Sequence, residues 1–427
     1  MNKRLHLSRR GFLKLGGGAL AATAGARMLA GSASSLLRPE ASVADAAIAP
    51  TYHLGGTDGW VALPRTPAIP TYHPDPLAPD PFTTYIFGFR NLTGMTDAQV
   101  SAQKNHAQLS APILEATENA EMTIKLTNIG LALRPDLIDS HTMHWHGFRN
   151  AIPLFDGEPS SSLSVPIGRN ITYYFKPRNP GTYMYHCHFE DTEHVHMGMT
   201  GVVFVRPQMG RNYAYNDAST AFDREHVMFL SEVWAEAHWD DAHIQLPDWT
   251  DYKPDFFLLN GRVYPDTLAP SGTGYDATGY LNVPAAPYAH LQYQPISSLV
   301  RANAGDKVLL RFVNLGYLKQ SMTLPGLKMR VVGKDATLLK NAGADMTYQT
   351  NTVMLGPGES VDAIFQAPAF SASAPVATDA VGSYNTYLLY NRQYDHLSNA
   401  GGAGAGGQMT EVRVYASGVP AQTAPNT

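Results

Sequence analysis

The chain has 427 residues, 44% of them hydrophobic and 10% aromatic, which is long for one ordinary domain and enough to bury two cores. Only 16% are charged, while 37 Gly and 30 Pro favour many short strands joined by turns over a helical bundle or a disordered chain. The single Cys excludes an internal disulfide framework and a Cys-only zinc site, and a net charge of −5 argues against a nucleic-acid partner.

The N-terminus carries Lys3, Arg4 and then Ser8-Arg9-Arg10-Gly11-Phe12-Leu13-Lys14, followed by a mildly apolar run from Leu15 to about Ala30. Paired arginines, Phe-Leu-Lys and a weak apolar stretch together resemble a twin-arginine export signal. The run is too short and too rich in Gly and Ala for a membrane anchor. We expect residues 1–46 to be this signal, cut after Ala44-Asp45-Ala46 or after Gly31-Ser32-Ala33, and the mature protein to be periplasmic or otherwise exported, off the membrane. Oxidising compartments favour paired cysteines, so the lone Cys187 needs a reason to stay free.

Residues 47–84, dense in Pro and Ala, read as an extended arm. Short alternating strands begin at Tyr85, among them 121–128, 171–175 and 202–205, and give a first domain over 85–207. The polar stretch 206–221 reads as a linker. Strands at 227–230, 256–259, 307–313, 329–332, 363–365 and 412–415 give a second domain over 222–417. The spacing predicts an all-β protein of two tandem Greek-key sandwiches or barrels. The Gly/Ala run 400–407 reads as a mobile loop with no packing role.

Seven of the 16 histidines fall between His141 and His196, around the only thiol. Along a strand, residues two apart share a face. His186 and His188 therefore point one way and Cys187 the other; His144 and His146 share a face and His141 takes the opposite one. Two donor sets follow. His141 and Cys187, with His194 and Met199 from the following loop, make a His2Cys set with a weak axial Met, the ligands of a blue-copper (type 1) site. His196 competes with His194 for the third position. Zinc uses similar ligands but does not usually choose Met. His144, His146, His186 and His188 form a four-imidazole set without thiolate, suited to type 2 or type 3-like copper that binds a small oxygen ligand. Cys187 is covalently joined to His186 and His188, so the two sites are connected across on the order of ten ångströms.

These motifs carry a family resemblance. His141-x-x-His144-x-His146-Gly147, Asp156-Gly157, Pro166-Ile167 and Gly181-Thr-Tyr-Met-Tyr-His-Cys-His188 with Gly198-Met199 resemble the multicopper oxidases, specifically two-domain, laccase-like members with the blue-copper site in the first cupredoxin domain. The spacing is also similar to that of copper nitrite reductases. There, positions matching His141, Cys187, His194 and Met199 hold the blue copper, and those matching His146 and His186 the catalytic one. The resemblance implies two cupredoxin domains, copper as cofactor, and a homotrimer in which a second domain completes a trinuclear cluster. The second domain departs from that pattern: it reads Gln320-Ser-Met-Thr-Leu-Pro-Gly326 and Tyr387-Leu-Leu-Tyr-Asn-Arg392 where paired histidines are expected. Only His396 lies near, with His226, His238, His243 and His290 elsewhere. His238 and His243 read as part of a solvated loop.

Asp156 is the candidate catalytic residue, a proton donor beside the four imidazoles, because reduction of an oxygen species consumes protons; its alternative is a turn Asp before Gly157. Glu190, Asp191 and Glu193 form an acidic rim that suits a cationic reductant or a basic redox partner. The expected activity is an exported copper oxidoreductase that takes electrons from a small-molecule, metal-ion or protein reductant. A nitrite-reductase-like enzyme and a non-catalytic electron carrier or copper-binding protein are the alternatives.

Overall fold

A computed structural model describes residues 50–272 and 282–427, so the export-signal reading lies outside the described residues. The first sandwich is built from β1 (Tyr52–Ala62), β2 (Thr83–Asn91), β3 (Leu114–Thr117), β4 (Met122–Gly130), β5 (His144–His146), β6 (Asn170–Phe175), β7 (Gly181–His186) and β8 (Thr200–Arg206). One sheet runs β2-β1-β4-β6 and the other β3-β8-β7-β5. The clean alternation in β4 puts Met122, Ile124 and Leu126 into the core, where they meet Phe87, Phe89, Trp145, Tyr173 and Tyr185. Trp145, between two histidines that face the other way, stacks on Phe175 at 4.4 Å and so anchors β5.

The expected arm over 47–84 is corrected. Its first part is β1, which pairs antiparallel with β2 and parallel with β4 and is buried along nearly its whole length. Three glycines and an Asp hide this strand from propensity. They are there because neighbours press against the backbone: a Cβ on Gly59 would sit 2.9 Å from the Ala107 nitrogen, and one on Gly56 would strike the ring of His141.

In the second sandwich one sheet contains Arg224–Val233, Phe256–Leu259, Lys307–Asn314, Met329–Lys334 and Ser360–Gln366. The other contains Val300–Asn303, Gln320–Thr323, Thr352–Leu355, Ser383–Asn391 and Met409–Tyr415. Two further expectations change here. His238 and His243 lie on or just after the helix Ala235–Ala242 rather than in a solvated loop: His238 Nδ1 is 2.6 Å from the Tyr85 carbonyl, and His243 stacks on Trp239 and pairs with Asp75 at 2.9 Å. The 400–407 run is also tied down, since Ala400 N–H donates to Asp255 and the Gly407 carbonyl accepts from Tyr264, both at 2.9 Å.

A buried ionic cluster joins the two sandwiches. Arg206, at the end of β8, donates to both oxygens of Glu225 at 2.7 and 2.6 Å, and Arg311 donates to Glu225 at 3.0 Å and to Thr182 of β7 at 2.8 Å. Burial opposes ionisation of Glu225, but Arg311 and Arg206 outweigh it and hold the carboxyl below its ordinary value. Among the described residues no helix is long and apolar enough to cross a membrane.

Candidate metal centres

Both donor sets grow from the edge where β5 pairs with β7, which places His144 opposite His186 and His146 opposite Met184. His141 precedes β5 and is held by paired backbone hydrogen bonds with Val165. Cys187 directly follows β7; its N–H donates to the Met199 carbonyl at 3.1 Å. The helix Asp191–Met197 then brings His194 back over the thiol, and Met199 N–H closes the turn on the His194 carbonyl.

On the inner side, the ligand atoms of His141, Cys187 and His194 lie within 4.8 Å of one another, and all three residues are buried. Cys187 Sγ is 3.3 Å from His194 Nδ1 and accepts the Thr142 N–H at 3.4 Å. Met199 is fully buried beside them. Burial opposes ionisation of the thiol, yet His194 and His141 outweigh it and hold Cys187 well below its ordinary value. Burial likewise disfavours charge on His194, but the thiolate and Asp139, 3.6 Å from Nε2, raise it to about 10. No hydrogen bond engages either ring nitrogen of buried His141. A thiolate, two imidazoles and a buried thioether fit copper.

His196 is not part of this cluster. Two residues apart on a helix are about opposite, so when His194 faces the thiol, His196 faces away. Its Nε2 accepts the Trp234 N–H at 3.2 Å, and Trp249 and Tyr252 pack around the ring.

On the outer side, His144, His146 and His186 bring ligand atoms within 4.8 Å, and the His188 ring lies 5.1 Å from that of His144. Backbone carbonyls fix two tautomers: His144 Nδ1 meets the Asp156 carbonyl at 2.7 Å and His186 Nδ1 the Cys187 carbonyl at 2.8 Å, which leaves each Nε2 free for a metal. Burial, with the neighbouring imidazoles, drives His186 down to about 3, so it is neutral at any ordinary pH. Asp156 thus orients His144 through its backbone, while its partly exposed carboxylate lies 3.7 Å from the same Nδ1.

The four imidazoles line a cavity of about 560 Å³ whose far wall is Leu315, Gly316, Tyr317, Pro357 and Gly358 of the second sandwich. None of these is a metal ligand by side-chain imidazole or thiolate. Sequence reasoning missed Gly358 as part of the site: it has φ +77°, and a Cβ there would lie 2.8 Å from His146 Nε2. The signal was available in Leu355-Gly-Pro-Gly358, whose second glycine marks a close approach. His396 is buried away from this pocket, stacked on Phe257 at 3.7 Å with Nδ1 2.9 Å from Gln320. His226 and His290 lie outside both clusters.

Residues 92–210, which hold every one of these donors, match the family model described as multicopper oxidase. This is a multicopper oxidase domain. The chain is similar to copper resistance protein A of Escherichia coli (27% identical over 273 residues, 60% of this chain and 42% of that protein). It is also similar to laccase-25 of Oryza sativa subsp. japonica (28% over 287 residues, 65% of this chain and 40% of that protein). The matches thus span less than half the length of either relative. Among solved structures, the blue copper oxidase from Nitrosomonas europaea shares the fold with a TM-score of 0.58 at 19% identity, over 85% of each chain. The copper nitrite reductase from Nitrosomonas europaea shares it at 0.52 and 18%, over 84% of this chain and 92% of that one. The cupredoxin-like, all-β architecture of the multicopper oxidases is therefore the architecture of this chain.

Proposed function

We propose that this multicopper oxidase-family protein is an exported copper oxidoreductase that accepts single electrons on the Cys187 side and uses them on the four-imidazole side to reduce a small oxygen species. One observation carries the proposal: a single three-residue segment, His186-Cys187-His188, serves a closed thiolate cluster on one face and an open imidazole pocket on the other. Copper held at these two sets would supply one-electron acceptance at the first and binding and reduction of an oxygen ligand at the second. His141, Cys187, His194 and Met199 hold the first set, and His144, His146, His186 and His188 the second. The chain itself provides the connection, because the backbone and side chain of Cys187 link the thiol to both neighbouring imidazoles. The buried thiol face would keep solvent from copper held there, and the cavity is large enough for a small ligand. Asp156, beside His144, is the proposed proton donor. Glu190 lies beside His194 and Asp191 beside His188, and with Glu193 they are the proposed docking rim for a cationic or protein reductant.

The second-sandwich wall adds no imidazole, so dioxygen reduction at a complete trinuclear cluster requires ligands from another copy; the proposed assembly is a homotrimer, to be read by sedimentation. The nitrite-reductase-like alternative has one observation in its favour, namely that this wall adds no imidazole, so one chain supplies ligands for fewer coppers than an oxidase needs. Copper counted per chain separates the readings: about one for a carrier, two for a nitrite-reducing enzyme, more for an oxidase. Consumption of dioxygen or nitrite with a phenolic or other one-electron donor, lost in His188→Ala, is the expected result. A protein that binds one copper and consumes neither would reduce the proposal to a carrier.

A further inference from the structure

Behind the wall of the imidazole pocket lies a row of rings that the two donor sets do not use. Tyr317 lines the pocket. Its ring centroid is 5.4 Å from that of Tyr252, Tyr252 is 5.8 Å from Trp234, and Trp234 is 5.9 Å from Trp249, which is only partly buried. Each of these side chains can lose one electron at potentials an aliphatic or Phe residue cannot reach, and neighbouring rings at this spacing exchange electrons readily.

Tyrosine oxidation also needs a base, because the oxidised phenol is a strong acid. The Tyr252 hydroxyl donates to Glu232 Oε2 at 3.2 Å. Glu232 is almost wholly buried and accepts further hydrogen bonds, from Gln320 Nε2 at 2.5 Å, Tyr317 N–H at 2.8 Å and the Leu318 backbone. Burial pushes its carboxyl up to about 7, giving it a proton affinity that an exposed Glu lacks. The Tyr317 hydroxyl instead donates to the Thr192 carbonyl, which cannot take a proton. Tyr317 is therefore a transit point and Tyr252 the resting place of the oxidising equivalent.

We infer that Tyr317, Tyr252, Trp234 and Trp249 form a second electron route between the imidazole pocket and the surface, independent of Cys187, with Glu232 as the proton acceptor of Tyr252. With copper held in the pocket as the one-electron oxidant, Tyr252 would lose one electron through Tyr317 and its phenolic proton would move to Glu232. The neutral phenoxyl is refilled from Trp249 through Trp234, the proton returns from Glu232 to the phenol, and Trp249 is restored by a one-electron reductant of the phenol or ascorbate class in solvent. The copper end of this route rests on the function proposed above; the ring row does not.

Two measurements keep the two apart. In the copper-free full chain, azide radicals generated by pulse radiolysis oxidise Trp, and the wild type is expected to convert Trp radical to phenoxyl within the molecule. Loss of that conversion in Tyr252→Phe and its weakening in Trp249→Phe support the route; unchanged conversion in both, with unchanged circular dichroism, overturns it. In copper-loaded, reduced Cys187→Ser, where the thiolate route is cut, exposure to dioxygen is expected to give a phenoxyl electron-paramagnetic-resonance signal that disappears when Tyr252→Phe is added. A signal that persists overturns the assignment to Tyr252. No signal at all, with the radiolysis result intact, counts instead against the oxygen-reducing role of the pocket.

Discussion

The two faces of the His186–His188 strip differ in who completes them. The thiolate cluster closes within one sandwich: His141, Cys187, His194 and Met199 are all buried there. The imidazole pocket is left open by the first sandwich and finished by the second, whose wall of Leu315, Gly316, Tyr317, Pro357 and Gly358 adds no imidazole. The lesson is that one strand can serve a rigid, water-excluding site and an accessible one at once, because alternation separates them completely while the chain keeps them joined.

Breaking one face should leave the other standing. The largest effect expected is from Cys187→Ser: intense blue absorption after copper loading disappears, and copper per chain falls by one while the imidazole-bound copper stays. Loss of both, or colour that survives, would contradict the separation. Next is the hinge of the comparison, the lock between sandwiches. Glu225→Ala leaves Arg206 and Arg311 buried without their carboxylate and should cost about 3–5 kcal/mol in denaturant unfolding.

Smaller and sharper is the pH dependence of copper uptake. In the metal-free protein His194 holds its proton up to about pH 10, and metal binding must displace it. Apparent affinity at the thiolate site should therefore rise about tenfold per pH unit as pH increases toward that value. His186, neutral above about pH 3, adds no such slope to the imidazole pocket. Competition titrations at several pH values check the contrast. Gly358→Ala should lower copper affinity in the pocket by about tenfold, since its Cβ meets His146 Nε2, with the blue absorption unchanged. The smallest effect is expected from Asp156→Asn. The backbone bond to His144 survives, so copper content holds, and turnover falls less than the roughly hundredfold of an essential general acid, because water reaches a partly exposed carboxylate.

The first sandwich was largely legible because its signals are local. Alternation over 122–130 announces β4, and the parity of His144, His146, His186, His188 and Cys187 sorts the donors before any contact is known. β1 was not legible: Gly55, Gly56 and Gly59 look like a loop until the ring of His141 and the backbone of Ala107 are seen pressed against them. His194 and His196 could not be told apart from a loop reading, since the decision needed the helix that turns one toward the thiol and the other toward Trp234.

By itself, then, the order of residues determined the all-β class, the two donor sets and their opposite orientation, because strand periodicity is a property of the covalent chain. Only the tertiary structure decided which histidine reaches the thiol, what walls the pocket, and that Tyr252 rests on a buried carboxylate. Those depend on groups brought together from distant strands by burial, and no local pattern encodes where a buried neighbour will be.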